Sequence, residues 1–100
     1  MVKRKVTWSP EAKIEFVEIL NSYYQRNGNA NYSRKLNDKI KQATSRLGNA
    51  PYLGKKTNNQ KIRVIIEGHF LVFYSLSEKQ IRILSIVDSR QNPDVLRYKK

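Results

Sequence analysis

KIRVIIEGHFLVFYSLSEKQIRILSIVDSRQNP, residues 61–93, is the stretch on which the fold turns. Ile62, Val64 and Ile66 alternate with Lys61, Arg63 and Glu67, and Ile65 interrupts the polar side, so a strand with one apolar and one largely charged face is expected. Glu67-Gly68-His69 supplies a reversal, because glycine takes positive φ without steric cost. Phe70 to Leu76 is a nearly continuous apolar run, which suits a strand covered on both faces. Ser77-Glu78-Lys79-Gln80 makes the next turn. Ile81 to Val87 is a third β-branched run, ended by the polar segment before Pro93, which stops further pairing. The connections are too short for parallel crossovers, so antiparallel hairpins follow.

Working back from this stretch, two helices are expected. Ser9-Pro10-Glu11 is a helix start: Ser9 caps, Pro10 is preorganised at the first helical position, and Glu11 complements the helix dipole. Phe16, Val17, Leu20, Tyr23 and Tyr24 make a broad apolar face, and Asn27-Gly28-Asn29 ends the helix with Gly28 left-handed. In the second helix Tyr32, Leu36, Ile40, Ala43 and Leu47 recur every three or four residues, and Gly48-Asn49-Ala50-Pro51 closes it. Residues 52–60 read as a polar loop carrying the basic pair Lys55-Lys56. Lys3 to Trp8 reads as a short first strand with Val6 and Trp8 inward. The order is β-α-α-β-β-β, an α+β fold in which a helical hairpin packs on a small antiparallel sheet, with residues 1–100 as a single domain.

Composition narrows the function classes. The chain has no cysteine, so disulfide scaffolds and thiolate metal sites are excluded, and no clustered ligand set points to a metal or another cofactor. Met1-Val2-Lys3-Arg4-Lys5 has no apolar run behind it; neither a signal peptide nor a membrane span is expected, and a soluble cytoplasmic protein is. Twenty basic residues against eight acidic ones give a formal charge of +12, a field that attracts polyanions: RNA, DNA or an acidic protein. The charge is polarised. Residues 30–66 hold Arg34, Lys35, Lys39, Lys41, Arg46, Lys55, Lys56, Lys61 and Arg63 against Asp38, whereas Glu11, Glu15 and Glu18 sit together in the first helix.

No Gly-rich phosphate loop, HExxH or nucleophile with an evident base is present. What the strands offer is cations: Lys61 and Arg63 two apart, Arg82 in the last strand and Arg90 at its exit. Guanidinium and ammonium groups can hold a phosphodiester in line for attack by its own 2′-hydroxyl and stabilise the developing charge without a metal. Such cleavage also benefits from a proton donor and acceptor, for which His69 and Asp88 are the candidates, with Glu67 a further carboxylate.

The element order, the WSPEA helix start, the strand–Gly–strand segment RVIIEGHFLVFY and the ending ILSIVDSRQNP resemble the RelE/ParE superfamily of bacterial toxins from type II toxin–antitoxin modules, over nearly the whole chain from about Val6 to Leu96. The resemblance implies a small sheet with a helical hairpin and a toxin neutralised by a co-expressed antitoxin. One branch of that superfamily cuts mRNA on the ribosome; the other inhibits DNA gyrase. Read through the first branch, the chain is a ribosome-dependent mRNA interferase: Arg63 and Arg90 are catalytic, and Lys61, Lys55, Lys56 and Arg82 bind substrate. His69, Asp88 and Tyr98 are then the proton-transfer candidates. Phe70 stands where RelE-like nucleases place another arginine, Asp88 where some relatives have histidine, and Leu96 near their C-terminal tyrosine, with Tyr98 two residues on. Read through the second branch, it is a gyrase-binding protein without nuclease activity. The third reading is a member that only binds antitoxin or operator DNA. The implied protein partner is acidic, and strand addition at an exposed sheet edge is one way it could dock.

Overall fold

A computed structural model of the protein describes residues 3–90. Strand β1 (Lys5–Trp8) leads into α1 (Pro10–Asn27) and α2 (Asn31–Arg46); then come β2 (Lys55–Lys56), β3 (Ile62–Glu67), β4 (Phe70–Leu76) and β5 (Gln80–Asp88). The sheet order is β1-β5-β4-β3-β2.

The α+β class and the three C-terminal strands follow the expectation, but the sheet is mixed rather than purely antiparallel. β1 lies parallel to β5, Val6 opposite Ile81 and Trp8 opposite Ile83, while every other neighbouring pair is antiparallel. A parallel pair needs a long connection, and the seventy-odd residues between β1 and β5 supply it. Local turn chemistry carries no information about that pairing. The expected loop at residues 52–60 also contains the two-residue strand β2, which pairs Lys55 with Val64 and Lys56 with Arg63.

Helix α1 begins as its residues dictate. Ser9 is the extended N-cap, its Oγ accepting from the Ala12 amide at 3.1 Å, Pro10 fills the first helical position, and Gly28 closes the helix at φ 72°. The buried stripe is Ala12, Phe16, Ile19 and Tyr23; Val17 and Tyr24, expected inward, are exposed. One helix face of about 100° cannot hold adjacent pairs such as Phe16-Val17 and Tyr23-Tyr24 together, and the sheet covers only one side of α1. Helix α2 buries Leu36, Ile40, Ala43 and Thr44, and Leu47 follows at its C-cap.

The helices cover one sheet face. There Ile65 of β3, Phe70, Val72 and Tyr74 of β4, and Ile81, Ile83 and Ile86 of β5 join the helical residues in the main core. Val64, Leu71 and Phe73, with Ile62 and Val87, form a second apolar cluster on the far face. The face of β3 that carries Arg63, Ile65 and Glu67 is therefore the helix side: Ile65 is buried in the main core and Ile66 is 41% exposed.

A bulge between Phe73 and Tyr74 shifts the β4–β5 register and changes which β5 positions face the helices, from Ile81 and Ile83 to Ile86 and Asp88. The first turns of α1 hold it. Ser9 Oγ donates to the Leu84 carbonyl at 3.2 Å, while the Glu15 carboxylate accepts from the Ile86 amide and the Ser85 hydroxyl, both at 3.2 Å.

Candidate functional site

The candidate cations divide into two groups held by different parts of the fold. Arg63 lies opposite Tyr74, on the helix side of β3. Its Nη1 donates to the Gly54 carbonyl at 2.8 Å, and its guanidinium sits 5.0 Å from the centre of the Tyr52 ring. The fully buried Tyr74 organises the loop beside it: its hydroxyl donates to the Pro51 carbonyl at 2.8 Å and accepts from the Gly54 amide at 2.9 Å. A Cβ at Gly54 would come within 2.6 Å of the Tyr74 ring and hydroxyl, so only glycine admits this approach. Burial raises the Tyr74 hydroxyl above its ordinary pKa, with the Gly54 amide and the Arg63 charge pulling the other way.

Arg90 belongs to the opposite end of the sheet. The buried Asp88 carboxylate accepts from the Tyr23 hydroxyl at 2.7 Å and from the Arg90 amide at 2.9 Å, and lies 3.5 Å from the Arg90 guanidinium. The Arg90 guanidinium also bonds the Tyr23 hydroxyl. Around Tyr23 stand Tyr32 and Phe70, edge-on, with the Arg26 guanidinium over the ring. Burial pushes the Asp88 carboxyl upward, but the Tyr23 hydroxyl, the Arg90 amide and the Arg90 charge together outweigh it and hold the group below its ordinary value of 3.8. Tyr23 moves up, first through burial and then through its bond to Asp88 and that group's charge.

The structure does not bring Arg63 and Arg90 together. Glu67 is four residues along β3 from Arg63 and pairs with Phe70, which pairs with Asp88. At about 3.3 Å per residue and 4.8 Å per strand, the backbones of Arg63 and Asp88 are roughly 16 Å apart, and Arg90 is further along the chain. Arg82, exposed, pairs with Ser75 and Thr7 and so points to the far face, away from Arg63. Lys55 shares that far face through Val64, Lys56 the helix side through Arg63, and Lys61 is exposed in the turn before β3. His69 is exposed in the β3–β4 turn, where its carbonyl accepts from the amide and hydroxyl of Ser89, both at 2.8 Å. Tyr98 and Leu96 lie outside the described residues. Among the described residues no group of three His, Cys, Asp or Glu side chains is placed to hold a metal ion.

The sequence reading overlooked Tyr23 and Tyr74 as polar organisers. Both lie in apolar patterns, and a tyrosine in a core stripe carries a hydroxyl that must find a partner. That is the available signal.

Compared with known families, residues 6–93 match the ParE toxin of the type II toxin–antitoxin system, parDE. The chain belongs to this family. The ParE-family fold is shared by a chain of the chromosomal ParDE system from P. aeruginosa, with a TM-score of 0.70 at 17% identity over 86% of this chain and 96% of that one. It is also shared by a chain of the E. coli DinJ-YafQ toxin–antitoxin complex, with a TM-score of 0.56 at 13% identity over 91% and 98% of the two chains. A second structure of that complex gives 0.55 at 13% identity. No curated protein sequence matches the chain. At these identities the neighbours establish the fold, and the family match establishes the ParE lineage.

Proposed function

We propose that this ParE-family chain is the toxin of a type II module and acts as a binding protein on DNA gyrase, held inactive by an acidic antitoxin. The observation that carries the choice against RNA cleavage is the separation of Arg63 from Arg90. Each guanidinium is engaged at its own end of the sheet, so they form no common cradle for one phosphate. The proton-transfer chemistry points the same way. Asp88 is tied as a carboxylate by Tyr23 and Arg90, and the Tyr23 hydroxyl is driven away from neutral pH. Family membership supports the gyrase branch, and the neighbours come from toxin–antitoxin systems, which supports an antitoxin partner.

The test pairs two assays on the same antitoxin-free protein. Gyrase supercoiling should be inhibited while ribosome-bound message stays intact by primer extension. Cuts in the message that vanish in an Arg63→Ala/Arg90→Ala protein, with gyrase unaffected, would establish the mRNA interferase instead.

A further inference from the structure

One end of the molecule carries an aromatic side chain set among cations, with no carboxylate paired to them. Tyr52 is 61% exposed and sits in the loop between α2 and β2. Two guanidiniums lie against its ring, Arg63 at 5.0 Å and Arg4 at 5.7 Å from the centre. Arg63 is fixed by the Gly54 carbonyl, and the Arg4 backbone by its amide bond to the Gly48 carbonyl at 2.9 Å, so both arrive from anchored backbone. Arg4 Nη1 is buried and has no hydrogen-bond acceptor. A buried charged donor is costly without an acceptor, which an ion, a ligand or an ordered water supplies.

The cationic surface continues on both sides. Arg46 lies between two shallow depressions: one of about 510 Å³ shared with Lys3 and Lys41, the other of about 330 Å³ shared with Leu53, Lys55 and, unpaired with them, Glu67. Among the described residues the one ion pair is Arg90–Asp88 at the other end of the sheet, so these cations have no carboxylate partner.

We propose that this end of the chain binds single-stranded nucleic acid, with an unpaired base stacked on Tyr52 and the flanking phosphates on Arg4, Arg63 and Arg46. Stacking on an exposed ring is tolerant of sequence, and a cationic track beside it follows the backbone. The buried Arg4 Nη1 gains its acceptor when the Tyr52 ring shifts from the guanidinium to the base and a phosphate oxygen enters. A purely acidic peptide would use the cations and leave the ring idle. Duplex nucleic acid, whose bases are already stacked, would do the same. The site is separate from the gyrase reading and does not depend on it.

The test is fluorescence anisotropy on the full chain with labelled fifteen-residue oligo(U) and oligo(dT), a duplex of the same length, and polyglutamate of matched charge. Single strands should bind more tightly than polyglutamate, and the ratio of the RNA to the DNA arm identifies the preferred sugar. Tyr52→Ala should weaken single-strand binding about tenfold, within the range expected for losing one stacked base. It should leave duplex and polyglutamate binding unchanged, and Tyr52→Phe should restore the wild-type value. Arg46→Gln should reduce the slope of log affinity against log salt by about 0.7, the effect of one lost phosphate contact on a single strand. Polyglutamate binding as tightly as the oligonucleotides would make this an acidic-protein dock and overturn the proposal. So would a Tyr52→Ala protein that binds single strands as the wild type does, or one that loses all three ligands equally.

Discussion

Asp88 and Tyr23 show how much of this fold rests on single polar atoms inside an apolar layer. The carboxylate closes β5 onto α1 by accepting from Tyr23, and turns the chain at Arg90 by accepting its amide. Because its folded pKa lies below 3.8, the stability it contributes is present above that value and is lost as pH falls through the folded pKa. Asp88→Asn should therefore lower stability at pH 7 by about 1–3 kcal/mol, the range for a bond to a charged group or a buried donor left short. The gap between variant and wild type should narrow below pH 4, which urea titrations at pH 7, 4 and 3 would measure. A gap independent of pH would mean that the carboxylate charge does not matter and only the shape of the side chain does.

At the level of elements, the junction of α1 and β5 decides the sheet. Once β1 ends at Trp8, β5 has an edge beyond Ile83 that no strand pairs, and the Ile86 amide bonds Glu15 there. Ser9 and Glu15, one at the helix cap and one a turn and a half in, satisfy that edge. Ser9→Ala removes both the cap bond to Ala12 and the bond to the Leu84 carbonyl, so its cost should sit at the upper part of the usual cap range, about 1–2 kcal/mol. A loss of only a few tenths of a kcal/mol by urea denaturation would show that the Leu84 bond contributes nothing and that water replaces the cap. The cap itself was legible from Ser9-Pro10-Glu11, since its reason is local. The role of Glu15 was not, because its partners are seventy residues away in sequence.

For the whole molecule the governing quantity is charge. A net +12 on a chain of 100 residues steers an acidic partner from a distance and falls off over a Debye length. Association with the antitoxin should slow by roughly tenfold or more between about 0.05 and 0.5 M salt, a modest part of the range steering can supply, while the dissociation rate changes little. Stopped-flow mixing at several salt concentrations would measure both, and an on-rate indifferent to salt would exclude steering. No helix of the described residues is long and apolar enough to cross a membrane.

The amino-acid sequence by itself determined the helices, the three hairpin-linked strands and the sign of the surface field. Each of these follows from periodicity, turn residues or a sum of charges within a short window. The α+β class and the family resemblance were legible for the same reason. Only the tertiary structure decided that β1 runs parallel to β5, that Arg63 faces the helices, and that Arg63 and Arg90 stand at opposite ends of the sheet. A strand alternates its side chains with a period of two, so the pattern in Ile62–Glu67 separates two faces without saying which one the helices will cover. Both faces of β3 hold buried apolar residues, Ile65 on one and Val64 on the other, and that ambiguity is resolved by where the helical hairpin lands.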